Sequence, residues 1–307
     1  MTDPAGRAVV AAVIPTFHAP EALRDRVDRL LEQVDLVVLV DDGTATTSTL
    51  GFEDPRVRVV ELEDNSGIAH ALNVGIDLAH EYGASHVLTL DQDSWVPDGY
   101  VSAAMEALAG SIAAGENPVG AVPESAGGHA VLIDADGHPF DPIQAGQVLR
   151  MEAWKRLGPF EESLFIDAVD TEYTLRAWRS GSRYVLIPHT DIGHELGTLV
   201  PFTVFGRQLV LRGRRRHLLY HSPFRTYYMV RNSVILHRRY ARERRRWMWR
   251  RNRKLASMIL GGFLVAGDRR AQFLALREGF RDGRREVGGR IRSDLAARLA
   301  LLGRKVE

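Results

Sequence analysis

Short apolar runs alternate with helical patterns along roughly the first two hundred residues of the chain. Apolar runs of this length predict buried strands, whereas apolar positions that recur every three or four residues predict amphipathic helices. The predicted strands are 9–14, 36–40, 57–60, 86–90, 119–123 and 184–187. Because strands that alternate with helices form right-handed βαβ units, the pattern predicts an α/β fold with a mainly parallel, Rossmann-like sheet flanked by helices.

The segments between these strands carry the helical pattern, and one long segment carries no pattern. The predicted helices are 23–31, 68–78, 100–108, 151–157 and 170–179. Residues 125–146 are rich in Gly, Ala and Asp without a stable period, and such a segment in a compact domain is often functional. After about residue 205 the pattern becomes helical and basic, so we place a domain boundary there.

Polar residues follow four of the predicted strands. Pro15-Thr16, Asp41-Asp42-Gly43 and Asn65-Ser66-Gly67 follow the first three, and Asp91 and Asp93 follow the fourth. Ligands of open α/β sheets bind at the carboxyl ends of strands, and two carboxylates there suit a hard divalent cation such as Mg²⁺. Asp-rich turns and helix caps are also frequent in solvated loops, so each loop taken singly leaves that alternative open.

Length and composition limit the class of protein. A chain of 307 residues with 45% hydrophobic residues can bury one large core plus an appendage. The absence of Cys excludes disulfides and thiolate metal sites. A short polar leader that contains Asp3 precedes the first predicted strand and does not resemble a secretory signal, so we expect a cytoplasmic location.

The net charge of +1 conceals two oppositely charged halves. Residues 1–206 contain 12 basic and 32 acidic side chains, a net charge of −20, and the remaining residues contain 28 basic and 7 acidic ones, a net charge of +21. Between 207 and 254 the only acid is Glu243. The arginines cluster at 214–216 and 244–246, with Tyr227, Tyr228, Trp247 and Trp249 among them. This composition implies an anionic partner.

The basic region has three candidate interactions: with nucleic acid, with a membrane surface, and with the acidic half of the chain. Nucleic acid is not expected, because the segment contains no recognisable nucleic-acid-binding motif. Contact of 207–266 with an anionic membrane surface fits the tryptophans and arginines, and would make the protein peripheral at the inner face of the cell membrane, since 255–266 is too short to span a bilayer. Pairing with the acidic half is equally open. Leu295, Leu299 and Leu302 predict an amphipathic seam against the body or a second subunit, which leaves a homo-oligomer open.

Six motifs occur in an order that resembles family 2 glycosyltransferases of the GT-A fold. They are 13–16, 40–44, 65–69 with Asn73 and Gly75, 88–94, 165–172 and 194–197. The Leu-Asp-Gln-Asp-Ser run at 90–94 and the Phe-Ile-Asp-x-Val-Asp run at 165–170 look most like bacterial rhamnosyltransferases that use dTDP-L-rhamnose. The resemblance extends into the basic region through 222–228 and 231–232.

The resemblance implies a reaction and a domain organisation. The expected activity is an inverting, metal-dependent transfer of L-rhamnose from dTDP-β-L-rhamnose to a hydroxyl of a glycan or lipid-linked glycan, in cell-wall or surface polysaccharide synthesis. The cofactor would be Mg²⁺ or Mn²⁺. The GT-A catalytic domain would comprise residues 1–205, with a nucleotide-sugar half at 1–95 and an acceptor half at 96–205, followed by the basic helical region at 206–307.

The resemblance also implies roles for individual residues. The residues expected to hold the nucleotide sugar are Thr16, Asp41, Asp42, Asn65, Gly67, Asn73, Asp91 and Gln92. A buried carboxylate can accept the N3–H of a pyrimidine, and a glycine lets the backbone approach a nucleotide closely. Asp93 and His194 are the expected metal ligands, with Asp91 closer to the ribose or supporting the metal ligands.

The residues expected to act on the acceptor belong to the motif at 165–172. Asp170 is the candidate general base, and its alternative role is a helix cap. Asp167 and Glu172 are expected to contact acceptor or sugar hydroxyls, although Glu172 fits an exposed helix position equally well. The chain departs from the family pattern at Val169, where an acidic residue is common, and at His18, where Asn is more usual.

Other functions remain open on the sequence alone. Within the same class, the donor could be a UDP-sugar used by a galactofuranosyl- or hexosyltransferase. A catalytically silent nucleotide-sugar-binding or scaffold protein would need no base, so the combination of Asp93, Asp170 and His194 argues against it. A nucleic-acid-binding module predicts steeply salt-dependent binding to DNA or RNA.

Overall fold

The chain forms two compact units. The computed structural model describes residues 8–194, 199–201, 203–204, 207–208, 210–211, 214–215 and 217–303. Unit 1 consists of Met1–Glu162 and Val169–Glu195, and unit 2 consists of Ser163–Ala168 and Leu196–Glu307. The predicted boundary at 205–206, residues 195–197 of the last motif, Arg216 and Asp3 lie outside the described residues.

Unit 1 is built on an eight-stranded sheet. Its strands are β1 (Val10–Thr16), β2 (Leu36–Asp41), β3 (Val57–Glu61), β4 (His86–Thr89), β5 (Pro118–Ala126), β6 (His129–Ala130), β7 (Gln147–Arg150) and β8 (Arg183–Ile192). The order is β3-β2-β1-β4-β7-β5-β6, and β8 pairs with β5. Neighbours from β3 to β4 are parallel, β7 is antiparallel to β4 and β5, and β8 is parallel to β5. The predicted α/β fold with a mainly parallel sheet is confirmed.

Helices cover the sheet of unit 1. They are α1 (Leu23–Leu30), α2 (Ile68–Glu81), α3 (Tyr100–Ala113), α4 (Met151–Leu157) and α5 (Val169–Arg179), with short 3₁₀ turns at Ser48–Leu50 and Glu162–Leu164. Helix α2 packs closely on the sheet, because a Cβ at Gly75 would lie 2.4 Å from Val13 Cγ1. The strand β2 is buried along its whole length, as its continuous apolar run predicts.

Unit 2 combines short antiparallel strand pairs with four helices. The strands are β9 (Leu199–Pro201), β10 (Thr203–Val204), β11 (Arg207–Gln208), β12 (Val210–Leu211), β13 (Arg214–Arg215) and β14 (His217–Leu219). The helices are α6 (Pro223–Tyr240), α7 (Arg245–Val265), α8 (Arg269–Arg284) and α9 (Ser293–Gly303). The helical pattern predicted from about residue 205 therefore starts only at Pro223.

The helices of unit 2 enclose an aromatic core. Tyr227 and Tyr228 of α6 share this core with Leu295 and Leu299 of α9, which are 1% and 2% exposed. Leu302, the third position of the predicted seam, is 36% exposed. Within the described part of the chain, no helix is both long and apolar enough to span a membrane.

Candidate active site

Two loops of unit 1 bring three potential metal ligands together. The loop after β4 carries Asp91 and Asp93, and His194 follows β8, which ends at the same edge of the sheet because β8, β5 and β4 run in the same direction. The ligand atoms of these three side chains all lie within 4.8 Å of one another. His194 Nδ1 is 3.9 Å from Asp91 Oδ2 and 3.8 Å from Asp93 Oδ1.

The chemistry of this trio fits a divalent cation. Two carboxylate oxygens and one imidazole nitrogen form a mixed O/N ligand set, which Mn²⁺ accepts and which leaves room for phosphate oxygens and water. Both predicted metal ligands, Asp93 and His194, belong to the trio. Asp91, which the sequence placed nearer the ribose, is equally close to the imidazole.

Residues beside the trio hold the His194 ring in place. Ser94 Oγ lies 2.9 Å from His194 Nδ1. Trp95 and Gly193 exchange two backbone hydrogen bonds of 3.0 and 2.9 Å, which join the two loops next to Ser94 and His194. The indole ring of Trp95 covers Gly193 so closely that a Cβ there would lie 1.9 Å from Trp95 Cε2. Sequence reasoning missed Trp95 and Gly193, although each adjoins a motif residue.

A Gly193→Ala substitution is expected to weaken the binding of a divalent cation by about tenfold or more, as supporting residues of metal ligands usually do. The added methyl group must displace the Trp95 ring or break the backbone bridge, and either change moves His194. Isothermal titration with Mn²⁺ measures the effect. The matched control is Gly110→Ala on α3, where a Cβ meets nothing within 4 Å. Equal Mn²⁺ affinity in both variants would show that the bridge does not position His194.

The loop after β2 is organised by Asp41. Its buried carboxylate accepts hydrogen bonds from the backbone N–H groups of Thr44, Thr46 and Thr47 and from the hydroxyls of Thr44 and Thr47. Burial opposes ionisation, but the hydrogen bonds from Thr47 and Thr44 hold the pKa of Asp41 well below its usual range. Asp41 therefore shapes the 44–47 loop, and its contact with a nucleotide stays a prediction.

Thr16 and Asp41 are neighbours at the carboxyl ends of β1 and β2. The strand register places them opposite each other, and Thr16 Oγ1 lies 2.6 Å from Thr47 Oγ1. The sequence did not predict Thr44, Thr46 and Thr47 as site residues. The Thr-rich stretch directly after Asp41-Asp42-Gly43 is the sequence signal that could have indicated them.

Asp42 joins the loop after β2 to the loop after β3. Its carboxylate accepts hydrogen bonds from the backbone N–H groups of Ser66 and Gly67, at 2.6 and 2.9 Å. A Cβ at Gly43 would lie 2.6 Å from the backbone nitrogen of Asn65, so the two loops touch there. The structure thus gathers Asp42, Asn65 and Gly67 at the carboxyl edge of the sheet.

Of the two other predicted nucleotide-binding residues, Gln92 lies at that edge of the sheet, whereas Asn73 lies within helix α2. Gln92 pairs with the backbone of Phe17, accepting from its N–H and donating to its carbonyl, and so ties the loop after β1 to the loop after β4. Asn73, in contrast, is 4% exposed on α2. Its amide bonds the backbone of Phe160 and the carboxylate of Glu162.

Asp170 lies in the first turn of α5, and one of its oxygens accepts a hydrogen bond from the Thr171 N–H at 2.7 Å. Helix α5 precedes β8 and packs against it, so its first turn points toward the edge where β8 ends. Glu172 is 4% exposed and forms a 2.6 Å ion pair with Arg176, so the alternative of an exposed helix position is wrong. Its predicted contact with acceptor or sugar hydroxyls stays a prediction.

Unit 2 holds the first part of the same motif in a left-handed turn. Phe165, Asp167 and Ala168 have φ angles of 66°, 63° and 64°. Asn232 Nδ2 lies 2.9, 2.8 and 2.7 Å from the carbonyl oxygens of Leu164, Ile166 and Asp167. Left-handed backbone costs L-residues free energy, so this turn depends on the amide that binds its carbonyls.

Arg231 and Arg225 of α6 complete the turn. The buried guanidinium of Arg231 donates to the carbonyls of Ser163 and Leu164. Arg225 Nε lies 3.1 Å from Asp167 Oδ1. Burial raises the pKa of Asp167, and the neighbouring Arg225 guanidinium opposes that shift. The predicted motif around 222–232 therefore supports the 165–168 segment.

An Asn232→Ala variant is expected to lose about 2–3 kcal/mol of unfolding free energy, because buried carbonyl oxygens lose their donor in a turn that is already strained. Chemical denaturation of the whole chain measures the change. Asn117→Ala, at an exposed position, should stay within about 0.5 kcal/mol of the wild type. A loss no larger than that of the control would contradict the role of Asn232.

An Ala168→Gly variant is expected to be as stable as the wild type or more stable by about 0.5 kcal/mol. Glycine adopts the positive φ of this position without strain, which outweighs its greater freedom in the unfolded chain. The comparison is Ala153→Gly in α4, which should lose about 1 kcal/mol because glycine destabilises helix interiors. Equal losses at both positions would mean that the turn stores no strain.

Comparison with known proteins identifies the class of this fold. Residues 11–119 match the family model described as Glycosyl transferase family 2. The dTDP-rhamnosyl transferase RfbF of Shigella flexneri is 29% identical over 248 residues, which cover 75% of this chain and 80% of that protein. Residues 11–119 of this chain therefore form a family 2 glycosyltransferase domain. The predicted resemblance to this family and the predicted glycosyltransferase class are confirmed.

Further relatives of this chain agree with that class. The glycosyltransferase GlyG of Streptococcus pneumoniae serotype 4 is 28% identical over 101 residues, which cover 30% of this chain and 33% of that protein. Among solved structures, S. aureus TarS 1-349 in complex with UDP superposes with a TM-score of 0.51 at 15% identity, covering 91% of this chain and 92% of that one. At this identity the likeness concerns the fold alone, and it supports the GT-A assignment of the glycosyltransferase.

Proposed function

We propose that this glycosyltransferase transfers L-rhamnose from dTDP-β-L-rhamnose to a hydroxyl of a glycan or lipid-linked glycan, with inversion at the anomeric carbon and with a divalent cation. The observation that carries the proposal is the Asp91, Asp93 and His194 trio at the carboxyl edge of the sheet. The choice of sugar is supported by the similarity to RfbF, a dTDP-rhamnosyl transferase that matches 75% of this chain.

The donor would lie along the loops that follow β1 to β4. Asp42 and Gly67, which a hydrogen bond joins, would border the base and ribose, together with Thr16 and Asp41, which share the Thr47 hydroxyl. Asp91, Asp93 and His194 would hold Mg²⁺ or Mn²⁺, which when bound neutralises the charge that develops on the departing diphosphate. Asp93 would contribute one of the two negative charges that retain the cation beside the donor phosphates.

Asp170 would remove the proton of the acceptor hydroxyl. Inversion requires a base on the face of the sugar opposite the leaving diphosphate, within about 2.6–3.2 Å of the attacking hydroxyl in the reactive complex. The acceptor oxygen forms the new bond to the anomeric carbon, the bond to dTDP breaks, and the proton passes to Asp170. The product would be an α-L-rhamnoside. Asp167, held by Arg225, would contact acceptor or sugar hydroxyls.

Turnover of competing donors tests the proposal. Purified protein is incubated with dTDP-L-rhamnose, UDP-galactofuranose or UDP-N-acetylglucosamine and a panel of soluble and lipid-linked glycans, with Mn²⁺ or with EDTA. We expect release of dTDP at least about tenfold faster than release of UDP, and loss of turnover in EDTA. Faster turnover of a UDP-sugar would overturn the choice of donor, and full turnover in EDTA would overturn the role of the trio. Binding of nucleotide without turnover of any donor would favour the silent binding protein.

A further inference from the structure

Helix α8 has two faces of opposite chemistry. Its inner face contributes Leu274 and Ala275 to the core of unit 2. Its outer face carries Arg270, Phe273, Arg277, Phe280 and Arg284, at spacings of three and four residues. Residues at these spacings lie along one line of a helix. The two phenylalanines on this line are 63% and 52% exposed, so α8 presents a stripe of alternating arginine and phenylalanine, which we call the Arg/Phe stripe.

Close packing prevents α8 from turning the stripe inward. A Cβ at Gly279 would lie 2.6 Å from the carbonyl oxygen of Tyr227, and a Cβ at Gly283 would lie 2.6 Å from the carbonyl oxygen of Arg231. Only glycine permits this contact between the backbones of α8 and α6. The outward direction of the stripe is therefore determined by the fold of unit 2.

The acidic side chains of α8 lie on its buried side. Glu278 and Asp282, the two acids in the helix sequence, are 3% and 5% exposed. Glu278 accepts from Arg281 at 2.8 Å and from Arg277 of the stripe at 3.2 Å, and Asp282 accepts from the Tyr227 hydroxyl at 2.9 Å. Along the described helix α8, the exposed charges are consequently all positive.

Cations and aromatic rings on one exposed line match the surface of an anionic bilayer. Arginine binds phosphate groups through several N–H donors, and phenylalanine inserts into the region between headgroups and acyl chains. The Arg284 guanidinium already lies 5.9 Å from the Phe280 ring centroid, so charge and ring lie side by side on this face. A stable protein–protein interface uses roughly 20 residues from each partner, which is far more than the five side chains of this line. A lipid layer, in contrast, deforms around a narrow line of side chains.

We propose that the Arg/Phe stripe of α8 docks this protein on an anionic phospholipid bilayer, with the helix axis parallel to the membrane plane. This surface lies outside the region 207–266 for which the charge pattern predicted membrane contact. In that region Trp247 is 8% exposed and packs internally, whereas Trp249 is 61% exposed with the Arg253 guanidinium 4.7 Å from its ring. The same pairing of arginine and aromatic ring therefore recurs on α7.

Vesicle sedimentation of the full chain tests the proposal. Wild-type protein is mixed with vesicles of phosphatidylcholine alone or with about 30% phosphatidylglycerol, at low and high NaCl. We expect binding to the anionic vesicles that weakens as the NaCl concentration rises. The negative surface potential increases the affinity by about fivefold for each arginine near the surface, and salt screens that potential. A Phe273→Ala/Phe280→Ala double variant and an Arg277→Glu/Arg284→Glu double variant should each bind at least about tenfold more weakly.

Matched controls separate the stripe from general effects. Ile112→Ala removes an exposed apolar side chain on α3, and Arg29→Glu reverses an exposed charge on α1. Both should bind vesicles like the wild type, and all variants should keep the wild-type melting temperature within about 2 °C. Absence of wild-type binding, or equal binding by the phenylalanine variant and its control, would overturn the proposal. So would a wild-type dimer that the phenylalanine variant converts to monomer without any change in vesicle binding.

The proposal does not depend on the donor or on catalysis, because sedimentation needs neither. A protein that binds vesicles but turns over no sugar nucleotide would support the stripe and refute the proposed function. Turnover of donor with a soluble acceptor should be the same in the phenylalanine variant and in the wild type.

Discussion

An Asp93→Asn variant is expected to turn over its sugar-nucleotide donor at least about 1,000-fold more slowly than the wild type at a fixed Mn²⁺ concentration. Asparagine keeps the shape of the side chain but removes one of the two negative charges of the trio. A bound cation stabilises the departing diphosphate by several kcal/mol, and a loss of about 4 kcal/mol corresponds to a factor of about 10³. The measurement is the initial rate of dTDP release.

The Mn²⁺ dependence separates this effect from general damage. The variant should need a much higher Mn²⁺ concentration for half-maximal rate, whereas Asp98→Asn, an exposed acid five residues further along, should behave like the wild type. An Asp93→Asn rate within tenfold of the wild type, with unchanged Mn²⁺ dependence, would remove Asp93 from the metal site.

An Asp170→Asn variant is expected to lose about 10²- to 10⁴-fold in kcat while its affinity for dTDP stays unchanged. The amide cannot accept the acceptor proton, and general base catalysis contributes a factor of this size. The side-chain oxygen of asparagine can still accept the hydrogen bond from the Thr171 N–H, so the stability of α5 should change little. The two roles that the sequence left open, base and helix cap, thus predict different results for the same variant.

Three measurements on one preparation decide between these roles: kcat with acceptor, the thermal shift caused by dTDP, and the melting temperature without ligand. The control is Asp77→Asn, an exposed position of α2. Near wild-type kcat in Asp170→Asn would assign the residue to the cap. A fall in kcat accompanied by a large fall in melting temperature would mean that the variant reports folding and not base catalysis.

Much of the fold and part of the site follow from local patterns. Strand and helix periodicity predicted the helices α1 to α5 and the strands β1 to β5 and β8 to within about five residues, because one buried face per element imposes its own period. The short strands β6 and β7 were not predicted. The carboxyl ends of parallel strands share one edge, so the sequence assigns Asp41, Asp42 and Asp91 to that edge. The order of the motifs then identified the family, which the family model confirms.

Other features depend on contacts between residues far apart in the chain. Strand β7 enters the sheet between β4 and β5 in the opposite direction, which no local period encodes. The short strands β11 to β14 lie where a helical pattern was predicted from about residue 205, because their charge-rich sequence carries a compositional signal and little periodicity.

The sequence by itself determined the α/β architecture, the polar edge of the sheet, the family and the opposite charges of the two halves, since these depend on periodicity, composition and motif order. Only the tertiary structure decided how the carboxylates are used. In that structure Asp41 accepts hydrogen bonds from the threonines of its own loop, and His194 lies beside Asp91 and Asp93. Asn232 donates hydrogen bonds to the carbonyl oxygens of a strained turn. The reason is that hydrogen bonds and ion pairs depend on distances of a few ångströms between loops, and chain folding alone sets those distances.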